Sequence, residues 1–91
     1  MSRPVAAVGK AVNITGTAAV TPGPCQLLGF YVNSTSSGTV VFRDGGASGT
    51  VLNGAITPAI GWSEFPADIG TSLHCTIANT INITLFVATA N

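Results

Sequence analysis

The sequence predicts an all-β fold, an antiparallel β-sandwich or jelly-roll of seven or eight short strands. Three observations lead to this prediction. Apolar residues recur at every second position, which is the period of a strand with one buried face. Eleven glycines and five prolines interrupt this alternation at short intervals. No stretch carries the i, i+3, i+4, i+7 apolar spacing of a helix, so helix content should be close to nil.

The length of the chain, 91 residues, is enough for one domain but not for two hydrophobic cores. Residues 1–10 fit the strand pattern badly, and we predict that they form an extended N-terminal arm that is ordered by contact with a neighbour. Residues 11–91 form the single β domain. So small a domain buries only about 60 to 65% of the surface that its unfolded chain exposes, so association with other copies would help to stabilise it.

The first half of the domain is predicted to contain four strands. Residues 11–17 alternate apolar with polar side chains, whereas residues 26–33 carry apolar side chains on both faces, as a central strand does. The segment 34–38 is rich in Ser, Thr and Gly, and we predict that it is a loop leading to a strand at 39–43. A turn at Asp-Gly-Gly then precedes a short strand at 50–53.

The second half of the domain continues the meander. A short strand is predicted around Ile56 and another at 62–65, where the following proline ends it. Residues 72–77 and 81–87 are predicted to pair as a hairpin through the short connection 78–80. The clearest alternation in the chain belongs to the last of these strands, which places four apolar side chains on one face: Ile81, Ile83, Leu85 and Val87.

Charge is scarce in this sequence. Only six residues carry a formal charge and the net charge is zero, whereas an ordinary domain devotes about a quarter of its residues to charged types. A nucleic-acid or anionic membrane partner would require clustered basic residues, and no apolar run is long enough to span a bilayer. We therefore expect neither partner. The charged residues are Arg3, Lys10, Arg43, Asp44, Glu64 and Asp68.

The start of the chain lacks the apolar segment of a secretory signal, because Gly9 and Lys10 interrupt residues 5–8. We therefore expect synthesis in a reducing cytoplasm, where structural disulfides are rare. Cys25 and Cys75 are interpreted as reduced core thiols, and a single bridge between them is the alternative.

No combination of residues indicates catalysis, a cofactor or a metal site. The only histidine, His74, is predicted to be an exposed strand residue, and its neighbour Cys75 points to the opposite face, so the two cannot readily share a metal ion. Glu64 and Asp68 are the only neighbouring carboxylates, and they are predicted to be a solvated rim or partners of basic side chains. We predict that the protein is not an enzyme.

Three aromatic residues are candidates for partner binding. Tyr31 and Trp62 belong to the types that dominate binding hot spots and stacking platforms. The alternative for Trp62 is that it fills one end of the sandwich. Phe86 faces away from Ile83 and Leu85, so it is either covered by a second layer or part of an exposed apolar patch.

Residues 29–45, GFYVNSTSSGTVVFRDG, are followed by the alternating segment 69–77 and an apolar closing strand. Together they resemble small all-β structural proteins of tailed bacteriophages, in particular the capsid decoration or cement proteins. The resemblance implies a non-enzymatic protein that sits as a trimer, or else a dimer, on the outside of the capsid, where it bridges neighbouring major capsid proteins.

With this resemblance, we expect a homo-oligomeric structural protein at the capsid surface of a virion, without cofactors. Its expected contact residues are Arg3, Pro4, Val5 and Val8 of the arm, together with Tyr31, Trp62 and Phe86. A second hypothesis is a carbohydrate- or receptor-binding module of a phage tail fibre or spike, in which Trp62 and Tyr31 stack on the ligand. A third is an exported adhesin or pilus-like subunit, which the lack of a signal segment disfavours.

Overall fold

The protein folds as an antiparallel sheet. A computed structural model describes residues 10–89, which form six strands in one sheet and no helix. The all-β prediction is therefore confirmed for these residues, and none of them belongs to a helix that could cross a membrane. The strands are β1 (Lys10–Ile14), β2 (Ala18–Ala19), β3 (Cys25–Asp44), β4 (Thr50–Val51), β5 (Gly61–Ile69) and β6 (Leu73–Thr89).

The two long strands, β3 and β6, pair with each other along nearly their whole length, from Cys25 opposite Thr89 to Asp44 opposite Leu73. The four shorter strands flank this pair. β1 and β5 lie beside the end of β6 and the start of β3, which gives the order β1-β6-β3-β5 that we call the β1–β5 half. β2 and β4 flank the other ends of the long strands, in what we call the β2–β4 half.

β3 bends so strongly that its two ends face each other. Phe30 and Phe42 are twelve residues apart in this strand, yet their ring centroids are 5.5 Å apart. A straight strand would separate them by roughly 40 Å. Phe65 of β5 packs on both rings, at 6.4 Å from Phe30 and 5.1 Å from Phe42. The core therefore lies inside the bend, between the two halves of the sheet.

The strand count differs from the prediction because two predicted turns are parts of continuous strands. The segment 34–38 stays in the ladder with β6: Thr35 lies opposite Ile81, and Ser36 and Ser37 both lie opposite Thr80. The predicted hairpin at 78–80 is likewise absent from the described residues, and 73–89 form one strand. Polar residues thus continue the pairing with shifts in register, since the ladder uses main-chain groups that any residue other than proline supplies.

The bend is built from main-chain irregularities in both long strands. Ser37 of β3 has φ 58° and Asn79 of β6 has φ 62°, values that L-residues other than Asn rarely adopt. Gly38, the residue after Ser37, lies close to β6, where an added Cβ would be 2.5 Å from Cβ of Ile81 and 2.6 Å from the carbonyl oxygen of Thr80. Only glycine allows the two strands to approach so closely at this point.

Strand boundaries also differ at β5 and β1. β5 runs through Pro66, where the sequence predicted its end. Proline is tolerated there because β5 pairs with only one of the described strands, β3, and Pro66 falls at a shift in their register, where it has no partner residue. Lys10, which the sequence assigned to the arm, is the first residue of β1.

The core confirms the alternation read from the sequence, with one shift. Cys75 is fully buried, as predicted. Strict alternation would put Leu27 and Phe30 on opposite faces of β3, but a bulge between Leu27 and Gly29 allows both side chains to be buried. The buried apolar residues are Cys25, Leu27, Phe30, Val32, Val40, Phe42, Ile69, Leu73, Cys75, Ile81, Ile83, Leu85 and Val87.

Candidate functional site

The β1–β5 half presents one face to the core and the other to solvent. We call the latter the outer face, and its cross-strand neighbours follow from the strand register. One row, read across β1, β6, β3 and β5, consists of Asn13, Thr84, Tyr31 and Trp62. The next row consists of Ala11, Phe86, Gly29 and Glu64.

Trp62 dominates the apolar part of this face. Its indole crosses from β5 over Gly29 of β3, where an added Cβ would lie 2.6 Å from Cη2 and 2.7 Å from Cζ2 of the ring. It ends against Phe86 of β6, with ring centroids 5.5 Å apart and an interplanar angle of 71°. This edge-to-face contact fixes the position of the indole, while 51% of Trp62 stays exposed.

The three aromatic residues predicted as contact residues thus lie together on the outer face. Tyr31, 43% exposed, is the cross-strand neighbour of Trp62. The alternative in which Trp62 fills the end of the sandwich is wrong. Phe86 is half-buried, because Trp62 covers it. The arm residues Arg3, Pro4, Val5 and Val8 lie outside the described residues.

A hydrogen-bonded group of three asparagines and one threonine adjoins the aromatic residues. The side-chain amide of Asn13 donates to Oδ1 of Asn82 at 2.7 Å, to Oγ1 of Thr84 at 3.0 Å and to the carbonyl of Ile83 at 3.2 Å. The amide of Asn33 donates to the same Oδ1 at 3.1 Å and to the same Oγ1 at 3.0 Å. These side chains link β1, β6 and β3 across the outer face, and we call them the amide cluster.

The internal bonds of the amide cluster decide which groups it offers to solvent. Oδ1 of Asn82 and Oγ1 of Thr84 each accept two bonds, which uses their lone pairs. Four groups have no partner among residues 10–89: the side-chain oxygens of Asn13 and Asn33, the amide of Asn82 and the hydroxyl proton of Thr84. The cluster therefore presents two acceptors and two donors in fixed positions.

Sequence reasoning missed the amide cluster. Its asparagines each begin an Asn-x-Ser/Thr triplet, and alternation alone places Asn13, Asn82 and Thr84 on the polar side of their strands. Their convergence depends on the pairing of β1 with the end of β6, a register between residues about 70 positions apart that local patterns do not encode.

His74 is not the exposed residue that the sequence predicted. It is 7% exposed, and its Nδ1 has no hydrogen-bond partner among the described residues. In the β2–β4 half its cross-strand neighbours are Ala19 of β2 and Arg43 of β3. The Arg43 side chain bonds to Oγ1 of Thr76 and to the carbonyl of Gly49, which holds it on the same face of the sheet as His74.

The two carboxylates of β5 are exposed on the outer face but far from each other. Four residues along a strand separate Glu64 and Asp68 by roughly 13 Å, whereas glycosidase pairs are about 5 to 9.5 Å apart. Near Asp68 an open depression of about 290 Å³ is bordered by Gln26, Leu28 and Pro66. Among residues 10–89 no three His, Cys, Asp or Glu side chains gather as metal ligands would.

Asp44, which the sequence placed in a turn, is the last residue of β3 and has a structural role. Its carboxylate accepts bonds from the N–H groups of Gly70 at 2.9 Å, Thr71 at 2.9 Å and Ser72 at 3.2 Å. These bonds, from Gly70 first, hold the pKa of Asp44 below its ordinary value of 3.8. The carboxylate thereby ties the end of β3 to the connection between β5 and β6.

Both cysteines are free and buried, which agrees with their interpretation as core thiols. Burial raises the pKa of the Cys75 thiol to about 12. Sγ of Cys25 lies 3.5 Å from Oγ1 of Thr21.

Comparison of the sequence with protein-family models and curated proteins, and of the structure with solved structures, finds no match.

Proposed function

We propose that this protein is a structural component of a tailed-phage particle that decorates the capsid surface in many copies and bridges neighbouring major capsid subunits. We also propose that the two facing halves of the bent sheet are the two layers of a β-sandwich or jelly-roll. The observation that carries the proposal is the scarcity of charge on the folded surface.

Five charged residues fall among residues 10–89, and two of them are tied into the protein itself. Arg43 bonds to Thr76 and Gly49, and Asp44 accepts three main-chain bonds. The others are the exposed residues Lys10, Glu64 and Asp68. Because this surface is nearly neutral, symmetric copies repel each other little, and dense packing on a shell is favoured. The same neutrality contributes little to solubility as a free protein.

The free side of β1 supports contact with a neighbour. Among the described strands β1 pairs only with β6, so no strand of residues 10–89 occupies its other side, where a strand from another molecule could pair. On the opposite side of this half, Pro66 interrupts the edge of β5. We propose that neighbouring subunits join at β1, next to the arm residues 3–8.

The test compares phage particles that contain the protein with particles from which its gene has been deleted. Particles without it should rupture at lower temperature or weaker osmotic shock, and addition of the purified protein should restore resistance. A chain that lacks residues 1–8 but keeps β1 should restore less. Equal rupture of both kinds of particle would exclude the proposal.

The second candidate, a receptor-binding module of a tail fibre or spike, is favoured by the exposed Trp62 and Tyr31 on one face. The two candidates predict different copy numbers in purified virions. Decoration requires hundreds of copies in proportion to the shell subunit, whereas a fibre or spike holds only a few. Quantitative mass spectrometry of virions distinguishes them.

A further inference from the structure

We propose that the outer face is a binding site for a neutral saccharide, in which Tyr31 and Trp62 contact the sugar rings and the amide cluster bonds to the hydroxyl groups. The inference goes beyond the structural role proposed above. It holds whether the chain stands on the shell or on a fibre, because it rests only on the geometry of the outer face.

The aromatic side of the site is positioned before a ligand arrives. A pyranose ring carries C–H groups that pack on aromatic side chains. This contact is most favourable when the aromatic side chain is already immobile before the sugar binds. The indole of Trp62 is already held between Gly29 and Phe86, with half of its surface open. Tyr31, its neighbour on β3, extends the platform toward the amide cluster.

The polar side of the site matches hydroxyl groups in both directions. The oxygens of Asn13 and Asn33 accept hydrogen bonds, while the amide of Asn82 and the hydroxyl of Thr84 donate them. Each sugar hydroxyl both donates and accepts, so it can use either kind of group. Because internal bonds already orient these side chains, binding costs little further side-chain entropy.

The size of the site fits a short oligosaccharide rather than a single small polar molecule. Asn13, Thr84, Tyr31 and Trp62 stand in one row across four strands. Three strand spacings of about 4.8 Å give a length of roughly 14 Å. Sugar rings can therefore lie along the row with apolar contact at one end and hydrogen bonds at the other.

The chemistry of the row favours a neutral sugar over an anionic sugar or a second copy of the protein. No residue of the row is charged, and the nearest charge on the face is the carboxylate of Glu64 in the next row, which disfavours anionic sugars. A second protein copy packed on this face would have to match all four outward-facing groups of the amide cluster. Each unmatched group would weaken the association, because it would lose its hydrogen bonds to water without gaining a partner.

The experiment uses the full chain and a panel of immobilised oligosaccharides, comprising neutral hexose and N-acetylhexosamine oligomers with sialylated and sulfated oligomers for comparison. We expect binding to neutral members only. Trp62 is the only tryptophan, so a titration with the best neutral oligomer should also change the intrinsic fluorescence. Absence of neutral binding, or binding confined to anionic oligomers, would overturn the inference.

Variants distinguish loss of the sugar-binding site from loss of the fold. Trp62→Ala should weaken the affinity for the neutral oligomer at least tenfold by calorimetry. Asn82→Asp keeps the oxygen that Asn13 and Asn33 bond to but removes the outward-facing donors, and should have a similar effect. Gln26→Glu adds the same charge elsewhere on the outer face and should leave affinity unchanged, as should Val51→Ala in the β2–β4 half.

Circular dichroism and size-exclusion chromatography accompany each variant. If Trp62→Ala does not fold, Asn82→Asp and its Gln26→Glu control decide the matter. Unchanged sugar affinity in a folded Asn82→Asp variant would refute the inference. It would also be refuted if the wild type bound no neutral sugar and formed an oligomer that Trp62→Ala converts to monomers, because the outer face would then be an interface between copies. Because the readout is sugar affinity, failure here is distinct from failure of the particle-rupture test.

Discussion

The side-chain amide of Asn79 donates a 2.8 Å hydrogen bond to the carbonyl of Ser37, and these are the two non-glycine residues of 10–89 with positive φ. One lies in β6 and the other in β3, at the same level of the long strand pair. The bond therefore joins the two irregularities that allow the pair to bend. Since Phe30 and Phe42 meet only through this bend, the aromatic core depends on it.

Asn79→Ala should reduce the free energy of unfolding by about 1–2 kcal/mol, because it removes the bond and places alanine in a left-handed conformation. Ser37→Gly keeps the acceptor carbonyl and removes the steric penalty at position 37, so its stability should equal or exceed that of the wild type. Urea denaturation measures both. Equal stability of the Asn79→Ala variant and the wild type would show that the bond does not support the bend.

Gly38→Ala should destabilise the protein by about 1–3 kcal/mol, because the new methyl group meets the main chain of Thr80 and the side chain of Ile81. Gly54→Ala is the matched control, since an added Cβ there meets nothing within 4 Å. Thermal unfolding of the two variants should therefore differ. If both variants lost only a little stability, β3 and β6 would be able to move apart at Gly38 without destabilising the fold.

Asp44 should make stability depend on pH at the acid end. Its folded pKa lies below the ordinary value, so its carboxylate stabilises the fold above about pH 3.8 and this contribution is lost as pH falls through the folded pKa. Asp44→Asn should be less stable than wild type at pH 7, and the difference should shrink below pH 3.8. Melting temperatures measured from pH 2 to 7 check this, and a constant difference would contradict it.

Cys75 should be inert to thiol reagents in the folded protein. Burial raises its pKa to about 12, against an ordinary 9.0, so the reactive thiolate is scarce at pH 8, and burial also blocks access. Cys25→Ala leaves Cys75 as the only thiol. We expect no labelling of this variant by a disulfide reagent at pH 8, and full labelling in guanidinium. Rapid labelling of the native variant would mean that the β2–β4 half opens readily.

Local alternation of apolar and polar residues predicted the strands, whereas long-range pairing decided their lengths and which side chains meet. Ile83 and Leu85 could be assigned to the core because burial at every second residue is written in adjacent positions. The continuity of β3 through Ser36 could not be predicted, because Ser, Thr and Gly are typical of loops and only pairing with β6 keeps this segment extended. For the same reason the sequence indicated Tyr31 and Trp62 singly, but not their alignment with Asn13.

The pairing of β1 with the far end of β6 has a consequence for how the protein folds. Lys10 lies opposite Val87 and Ile14 opposite Ile83, so the contacts that complete the β1–β5 half join positions about 70 or more residues apart. On a ribosome β1 would emerge early and remain without its partner until β6 had been synthesised. Domains dominated by such distant pairings fold in about milliseconds to seconds rather than microseconds. The nascent chain would therefore expose β1 to other copies before its own sheet could accept it.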